Sequence, residues 1–156
     1  MPVNLSHDAI DDWLHVGSYP SEPADILHLS KELGVTAVVN LQSDADFALR
    51  AINWQAFWTV YTANGMAVER VPIQDFMRPD LLVHMEAAVE TVRGFRDAGC
   101  TVYLHCNAGV NRSPTVAIGY YALHGGLSVE DAAALVQGRR RCLPYLDVVE
   151  RWLAQR

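Results

Sequence analysis

The sequence predicts a single α/β domain in which a central, largely parallel sheet is flanked by helices. Three observations point there. Short apolar runs rich in β-branched residues alternate with longer segments at helical spacing, the arrangement that builds parallel sheets. The 156 residues contain no internal repeat, low-complexity tract or linker, so one domain over 1–156 accounts for the chain. Finally, the stretch YLHCNAGVNRSPT (103–115) ends an apolar run on a His-Cys pair and passes through Asn and Gly into a helix start. Ligand sites in α/β sheets lie at such carboxyl ends of strands.

WLHVG (13–17) reads as a short strand closed by Gly17 and Ser18. PADILHLSKELG (23–34) is an amphipathic helix with Ile26, Leu29 and Leu33 on one face and Gly34 beyond its end. VTAVVNL (35–41) is a β-branched run and reads as a buried strand. NWQAFWTVYTANG (53–65) reads as a helix ending near Asn64 and Gly65, and AVERVPI (67–73) alternates as a strand. The clearest helix covers 80–99, with Leu81, Met85, Ala88, Val89, Val92 and Phe95 at helical spacing. TVYLH (101–105) is a strand. Residues 114–124 and 129–137 are two helices joined by Gly125 and Gly126, with Ser128 as an N-cap. A last helix covers 147–155.

Composition bounds the function. Hydrophobic residues make up 51% and charged residues 19%, a globular rather than a disordered balance. No apolar run approaches the roughly 18 residues of a membrane span, and MPVNLSHDAI lacks the charged and apolar regions of a secretion signal. Cys100, Cys106 and Cys142 are odd in number and widely spaced, which fits reduced thiols and a cytoplasmic location better than a disulfide framework. The histidines and cysteines show no zinc-ligand spacing, so a structural zinc is not expected; no cofactor is expected. A net charge of −6 argues against a nucleic-acid partner. No membrane partner is expected, and the oligomeric state is left open.

The loop 106–112 carries the chemistry. If TVYLH is a buried strand and Pro114 a first-turn proline, the loop runs straight into a helix N-terminus. Its successive N–H groups can then converge on one anion: Asn107, Ala108, Gly109, Val110 and Asn111 form the cradle. Gly109 and Asn111 are the members that tolerate left-handed backbone angles. Arg112 supplies a planar fork for two phosphate oxygens. Cys106, facing N–H dipoles and a guanidinium, is expected to act as a thiolate nucleophile. Ser113 would donate a hydrogen bond to the departing sulfur, and His105 would hold the loop from behind rather than act as a base. The bland alternative is a small buried Cys beside an ordinary turn. The joint pattern His-Cys-x₅-Arg-Ser with Gly at the third x is expected by chance in on the order of one chain in 10⁵ of this length, which decides for chemistry.

At these residues the chain resembles the cysteine-dependent phosphatases, and in size their dual-specificity group, whose signature HCxxGxxRS fits residues 105–113 without a gap. The resemblance implies the protein-tyrosine-phosphatase-like fold, built on a twisted, largely parallel sheet of about five strands. It also implies a metal-independent phosphomonoesterase working through a cysteinyl-phosphate, with a carboxylic acid on a separate loop. VPIQDFMRPD (71–80) supplies that acid as Asp75; Asp80 abuts the long helix and is expected to cap it. VGSYPSEPADILHL (16–29), VVNLQSDADF (38–47), IQDF (73–76) and GRRRCLPYLD (138–147) resemble the glucan-phosphatase branch, although that branch has Gly where this chain has Asn111. Asn there also occurs in cysteine phosphatases acting on RNA 5′-triphosphates.

The implied substrate is a phosphorylated protein or a phosphorylated glucan. The uncharged Asn107, Ala108, Val110 and Asn111 argue against a phosphoinositide. A phosphatase fold that only binds phosphate would usually lack the Cys, the Arg or the Asp, and all three are here. For a sugar-stacking platform Phe76 ranks first and Tyr19 second among Trp13, Trp54, Phe57, Trp58 and Tyr145, most of which are expected in the core. Arg139, Arg140 and Arg141 read as a solvated helix end, with a lesser reading in which one of them braces the cradle or touches phosphate. Cys100 and Cys142 read as structural, and Cys100 and Cys106 bracket one extended strand, too far apart to bridge.

Overall fold

In the computed structural model, which describes residues 3–156, four short strands run parallel and open their carboxyl ends onto one edge. These are β2 (Leu14–Gly17), β3 (Ala37–Asn40), β4 (Ala67–Arg70) and β5 (Val102–His105). A further strand, β1 (His7–Ala9), pairs antiparallel with β2, giving the order β1-β2-β5-β3-β4. β5 is therefore central, and its end delivers Cys106 to the middle of the edge. The expected single α/β domain around about five mostly parallel strands is what the chain forms.

Among the described residues seven helices cover the sheet: α1 (Pro23–Lys31), α2 (Asp44–Leu49), α3 (Trp54–Ala63), α4 (Arg78–Asp97), α5 (Arg112–Leu123), α6 (Val129–Arg139) and α7 (Leu146–Gln155). Because strand side chains alternate faces, the buried runs of β3 and β5 serve two cores. Val38 and Tyr103 meet Ile26 and Leu29 of α1 and Tyr61 of α3. Val39, Val102 and Leu104 meet Met85, Val89 and Val92 of α4 and Val116 and Ile118 of α5. Both faces are covered, which is why these strands read as continuous apolar runs rather than alternating ones. Each such side chain, fully buried, stabilises the fold by about 1.5–3 kcal/mol.

Two short elements lie outside the expected set. β1 carries His-Asp-Ala, with no strand propensity of its own, and is held by pairing His7 with Gly17 and Ala9 with His15. α2 is six residues long and is fixed by a reciprocal cap: Ser43 Oγ accepts the N–H of Asp46 at 3.1 Å, and Asp46 Oδ2 accepts the N–H of Ser43 at 2.9 Å. Asp80 does not cap α4 as expected. The helix begins at Arg78 with Pro79 in its first turn, and Asp80 Oδ2 instead accepts the N–H of Gln74 at 2.7 Å. That bond ties the 71–77 loop to the helix behind it. Ser128 does cap α6, accepting the N–H of Asp131 at 3.0 Å.

Leu104 is fully buried on the central strand against the larger core. Leu104→Ala is expected to lower unfolding free energy by about 2–5 kcal/mol, read as a shift of the urea midpoint with an unchanged slope.

Candidate active site

Beyond the carboxyl ends of the parallel strands lies a cleft of about 190 Å³, lined by Arg50, Asp75, Phe76, Cys106, Asn107, Ala108, Val110, Asn111 and Arg112. Three loops meet there. The β5–α5 loop supplies Cys106, Asn107, Ala108, Val110 and Asn111, the β4–α4 loop supplies Asp75 and Phe76, and Asp46, just inside α2 beyond the β3–α2 loop, stands behind them against Arg112.

The backbone of 106–111 is turned with its carbonyls outward. The Cys106 carbonyl lies 3.0 Å from His105 Nδ1, and because a carbonyl only accepts, Nδ1 carries the proton. The N–H of Tyr19 donates to the Asn107 carbonyl at 2.9 Å. Arg140 donates to the carbonyls of Ala108 (3.0 Å) and Gly109 (2.7 Å). The N–H of Leu143 donates to the Val110 carbonyl at 2.8 Å. In a trans peptide the N–H points opposite to the C=O, so the N–H groups of 107–111 turn the other way, and none of them finds an acceptor among the described residues. A row of converging, unpaired N–H groups is an anion nest.

Gly109 makes the turn, at φ +69°; an added Cβ would come within 2.5 Å of the Gly17 backbone, so only glycine fits this conformation and this approach. Asn111 differs from its expected left-handed conformation. Its φ of −115° is right-handed, and its side chain instead donates to the Leu143 carbonyl at 2.7 Å. An amide side chain that straps the loop is its observed use.

Arg112 opens α5 and is 1% exposed. Its Nη1 donates to Asp46 Oδ2 and to the Ile73 carbonyl, each at 2.7 Å. Its Nε and Nη2 are buried and donate to nothing among the described residues, although Nη2 stands 3.2 Å from Asp75 Oδ2 as an ionic contact. Nε and Nη2 form one edge of the guanidinium, the edge that grips two oxyanion oxygens at once. A buried cation whose bidentate edge makes no hydrogen bond, beside an anion nest, is a site built for a phosphate-like group.

Asp46 is the residue the sequence reading missed. Its Oδ1 accepts from Asn107 Nδ2 at 2.9 Å while Oδ2 holds Arg112. Burial pushes its carboxyl up, but the bonds from Arg112, Asn107 and the Ser43 N–H outweigh this and hold it below the usual range. His105 is fully buried, and desolvation pushes it down to about 4, while its Nδ1 holds the Cys106 carbonyl. Ser113 Oγ lies 3.3 Å from Cys106 Sγ. Asp75 reaches the cradle through Asn107 Nδ2, also at 3.2 Å.

Phe76 is 77% exposed at the cleft and holds φ +59°, a left-handed conformation that an aromatic residue seldom takes. Tyr19 is half-buried outside the cleft lining, with the Arg50 guanidinium 5.5 Å above its ring. Trp13 is buried against Tyr120 and Tyr121, Trp54 stacks on Phe47, and Tyr145 lies under Arg78. Of the three arginines, Arg139 and Arg141 are exposed, whereas Arg140, the C-cap of α6, is 5% exposed and so is a buried rather than a solvated helix end. All three cysteines are free thiols.

The family model described as dual specificity phosphatase, catalytic domain, matches residues 14–154. The chain belongs to this family. The phosphoglucan phosphatase DSP4, amyloplastic, of Castanea sativa is 28% identical over 150 residues, covering 95% of this chain and 40% of that protein. Mouse (Mus musculus) laforin is 27% identical over 145 residues, covering 86% of this chain and 43% of that protein. The chain thus spans about two fifths of the length of these curated relatives. In fold it matches the crystal structure of PTPMT1 with a TM-score of 0.78 at 19% identity, over 96% of this chain and 95% of that one. The dual-specificity-phosphatase match spans all three loops of the cleft, and no helix among the described residues is long and apolar enough to cross a membrane.

Asp46→Ala removes one half of a buried ion pair and is expected to cost about 3–5 kcal/mol of stability. Because Asp46 has a lower pKa folded than unfolded, its contribution is complete above the usual carboxylate range and fades as pH falls through the folded value. Denaturant melts across pH 2–7 should show the variant and the parent converging towards the acid end.

Proposed function

We propose that this domain is a metal-independent phosphomonoesterase that works through a cysteinyl-phosphate. The observation that carries the reading is the buried Arg112, whose Nε and Nη2 make no hydrogen bond and meet only the Asp75 carboxylate, in the same cleft as Cys106 and the inward N–H groups of 107–111.

In the first step Cys106 Sγ attacks phosphorus as the bond to the leaving oxygen breaks, and Asp75 gives that oxygen a proton. The N–H groups and Arg112 stabilise the loose, anionic transition state. Asp75 stands 3.2 Å from Arg112 Nη2, and a phosphate on that edge would displace the carboxyl outward, towards the leaving group. In the second step Asp75 takes a proton from water, the water oxygen bonds to phosphorus, and the S–P bond breaks. Ser113 Oγ, 3.3 Å from Sγ, donates a hydrogen bond to the departing sulfur. Inorganic phosphate is released with both residues restored.

The substrate is a phosphorylated protein or a phosphorylated glucan. The glucan reading is supported by Phe76. An aromatic side chain held exposed at a backbone conformation costing on the order of 1–3 kcal/mol has no packing reason to be there. Its flat face beside the acid suits the C–H face of a sugar ring. The Castanea sativa phosphoglucan phosphatase, matched over 95% of the chain, supports it too. Phosphate release from phosphorylated starch or glycogen, set against phosphopeptides and normalised to an aryl phosphate, decides between them. A glucan preference lost in Phe76→Ala would confirm the platform; no preference in the parent would remove it.

Cys106→Ser is expected to abolish turnover of a chromogenic aryl phosphate while phosphate-analogue binding persists. Asp75→Asn should slow hydrolysis of alkyl phosphates by about 10²–10⁴ yet still allow the cysteinyl-phosphate to form from a good leaving group. Full activity of Asp75→Asn on alkyl phosphates would remove the acid assignment, and loss of parent activity with chelator would remove the metal-free mechanism.

A further inference from the structure

Among the groups that hold the loop's carbonyls outward, Arg140 stands apart. It comes from the end of α6, among the described residues it is the sole side chain that grips two successive carbonyls of the loop, and all three of its nitrogens are engaged. Nε binds the Gly109 carbonyl at 2.7 Å, Nη2 binds the Ala108 carbonyl at 3.0 Å and Ser6 Oγ at 3.1 Å, and Nη1 binds Asp8 Oδ2 at 3.0 Å. Asp8 lies on β1, the antiparallel edge strand, so the guanidinium links that strand to the cradle. A solvated helix-end arginine would have none of these partners.

The two carbonyls belong to the peptide planes whose N–H groups are those of Gly109 and Val110. These planes flank the left-handed glycine, where the backbone has the most freedom to rotate and turn an N–H away from the cleft. We propose that Arg140 is a positioning residue for oxyanion binding: it clamps the peptide planes on either side of Gly109 so that the N–H groups of Gly109 and Val110 stay aimed into the cleft. Its charge acts in the same sense, since a cation at the carbonyl end of a peptide dipole favours the orientation that points the N–H at the anion. The clamp needs a planar fork with three differently directed N–H edges. A lysine, a point charge on a flexible stem, can hold one carbonyl but not both together with Asp8. The proposal rests on the cleft being an oxyanion site; it does not require turnover.

The test is calorimetric titration of inorganic tungstate into the parent, Arg140→Ala, Arg140→Lys and Asp8→Ala, with aryl phosphate kinetics alongside. Arg140→Ala is expected to bind tungstate at least tenfold more weakly per folded molecule and to lose kcat/KM by at least as much. Millimolar guanidinium should restore part of both, a rescue that a purely structural loss would not give. Arg140→Lys should recover less than half of the loss on a logarithmic scale, and Asp8→Ala, changed at a 45% exposed side chain, should weaken binding severalfold. Should Arg140→Ala fail to fold, the Lys and Asp8 variants carry the test. Tungstate affinity within twofold of the parent in the folded variants would overturn the proposal. A parent that binds tungstate but hydrolyses no ester would remove the enzyme reading and leave this test standing.

Discussion

Arg112 and Asp46 meet at 2.7 Å with almost no access to water, and three loops take their positions from that contact. Burying two opposite charges is costly, and the pair is tolerable only because nearly every lone pair and proton on its structural side is matched. Asp46 also accepts from Asn107 and from the Ser43 N–H, and Arg112 Nη1 also binds the Ile73 carbonyl. The β3–α2 loop, the β4–α4 loop and the β5–α5 loop are thereby pinned to one guanidinium. The guanidinium is divided between two tasks. Nη1 holds the architecture, and the Nε–Nη2 edge is left for a ligand.

The same division appears along the backbone of the cradle. Its carbonyls are bound from outside by His105, Tyr19, Arg140 and Leu143, while its N–H groups face inward without partners. This arrangement needs a parallel sheet. Only when β2, β3, β4 and β5 run in one direction do the loops that follow them gather at a single edge, with Gly17 at the end of β2 close enough to touch Gly109. The chemistry of Cys106 therefore depends on strand order as directly as on the residues of its own loop.

Much of this was legible from residues alone. The strand–loop–helix unit at 103–115 was, because its thiol, glycine and guanidinium lie within one contiguous segment whose spacing allows few geometries. β3 and β5 were, because both their faces are covered and their runs are continuously apolar, and β4 was through its alternation. Asp46 was not, since its partner lies 66 positions away and its helix is too short to show periodicity. The Ser43-x-x-Asp46 pattern before Phe47 is a capping-box signature, and it was the one local sign that a helix begins there. Arg140 was obscured for a different reason. Within a run of three arginines nothing local distinguishes the buried one from its exposed neighbours; only the tertiary positions of Gly109 and Asp8 do. Asn111 misled because tolerance of left-handed angles is a permission rather than a requirement, and the Leu143 carbonyl offered its side chain a better use. β1 escaped because its pairing with β2, not its own composition, makes it a strand.

The central claim is that the inward amides of 107–111 and the free edge of Arg112 together form the oxyanion site. Amide-resolved NMR of the ¹⁵N-labelled protein during titration with tungstate tests it most directly. The N–H resonances of residues 107–111 and the Arg112 Nε–H should move together, saturating at one concentration, while the amides of α6 and α7 surfaces stay still. Perturbations centred anywhere else, with the 107–111 amides unmoved at saturation, would contradict the account.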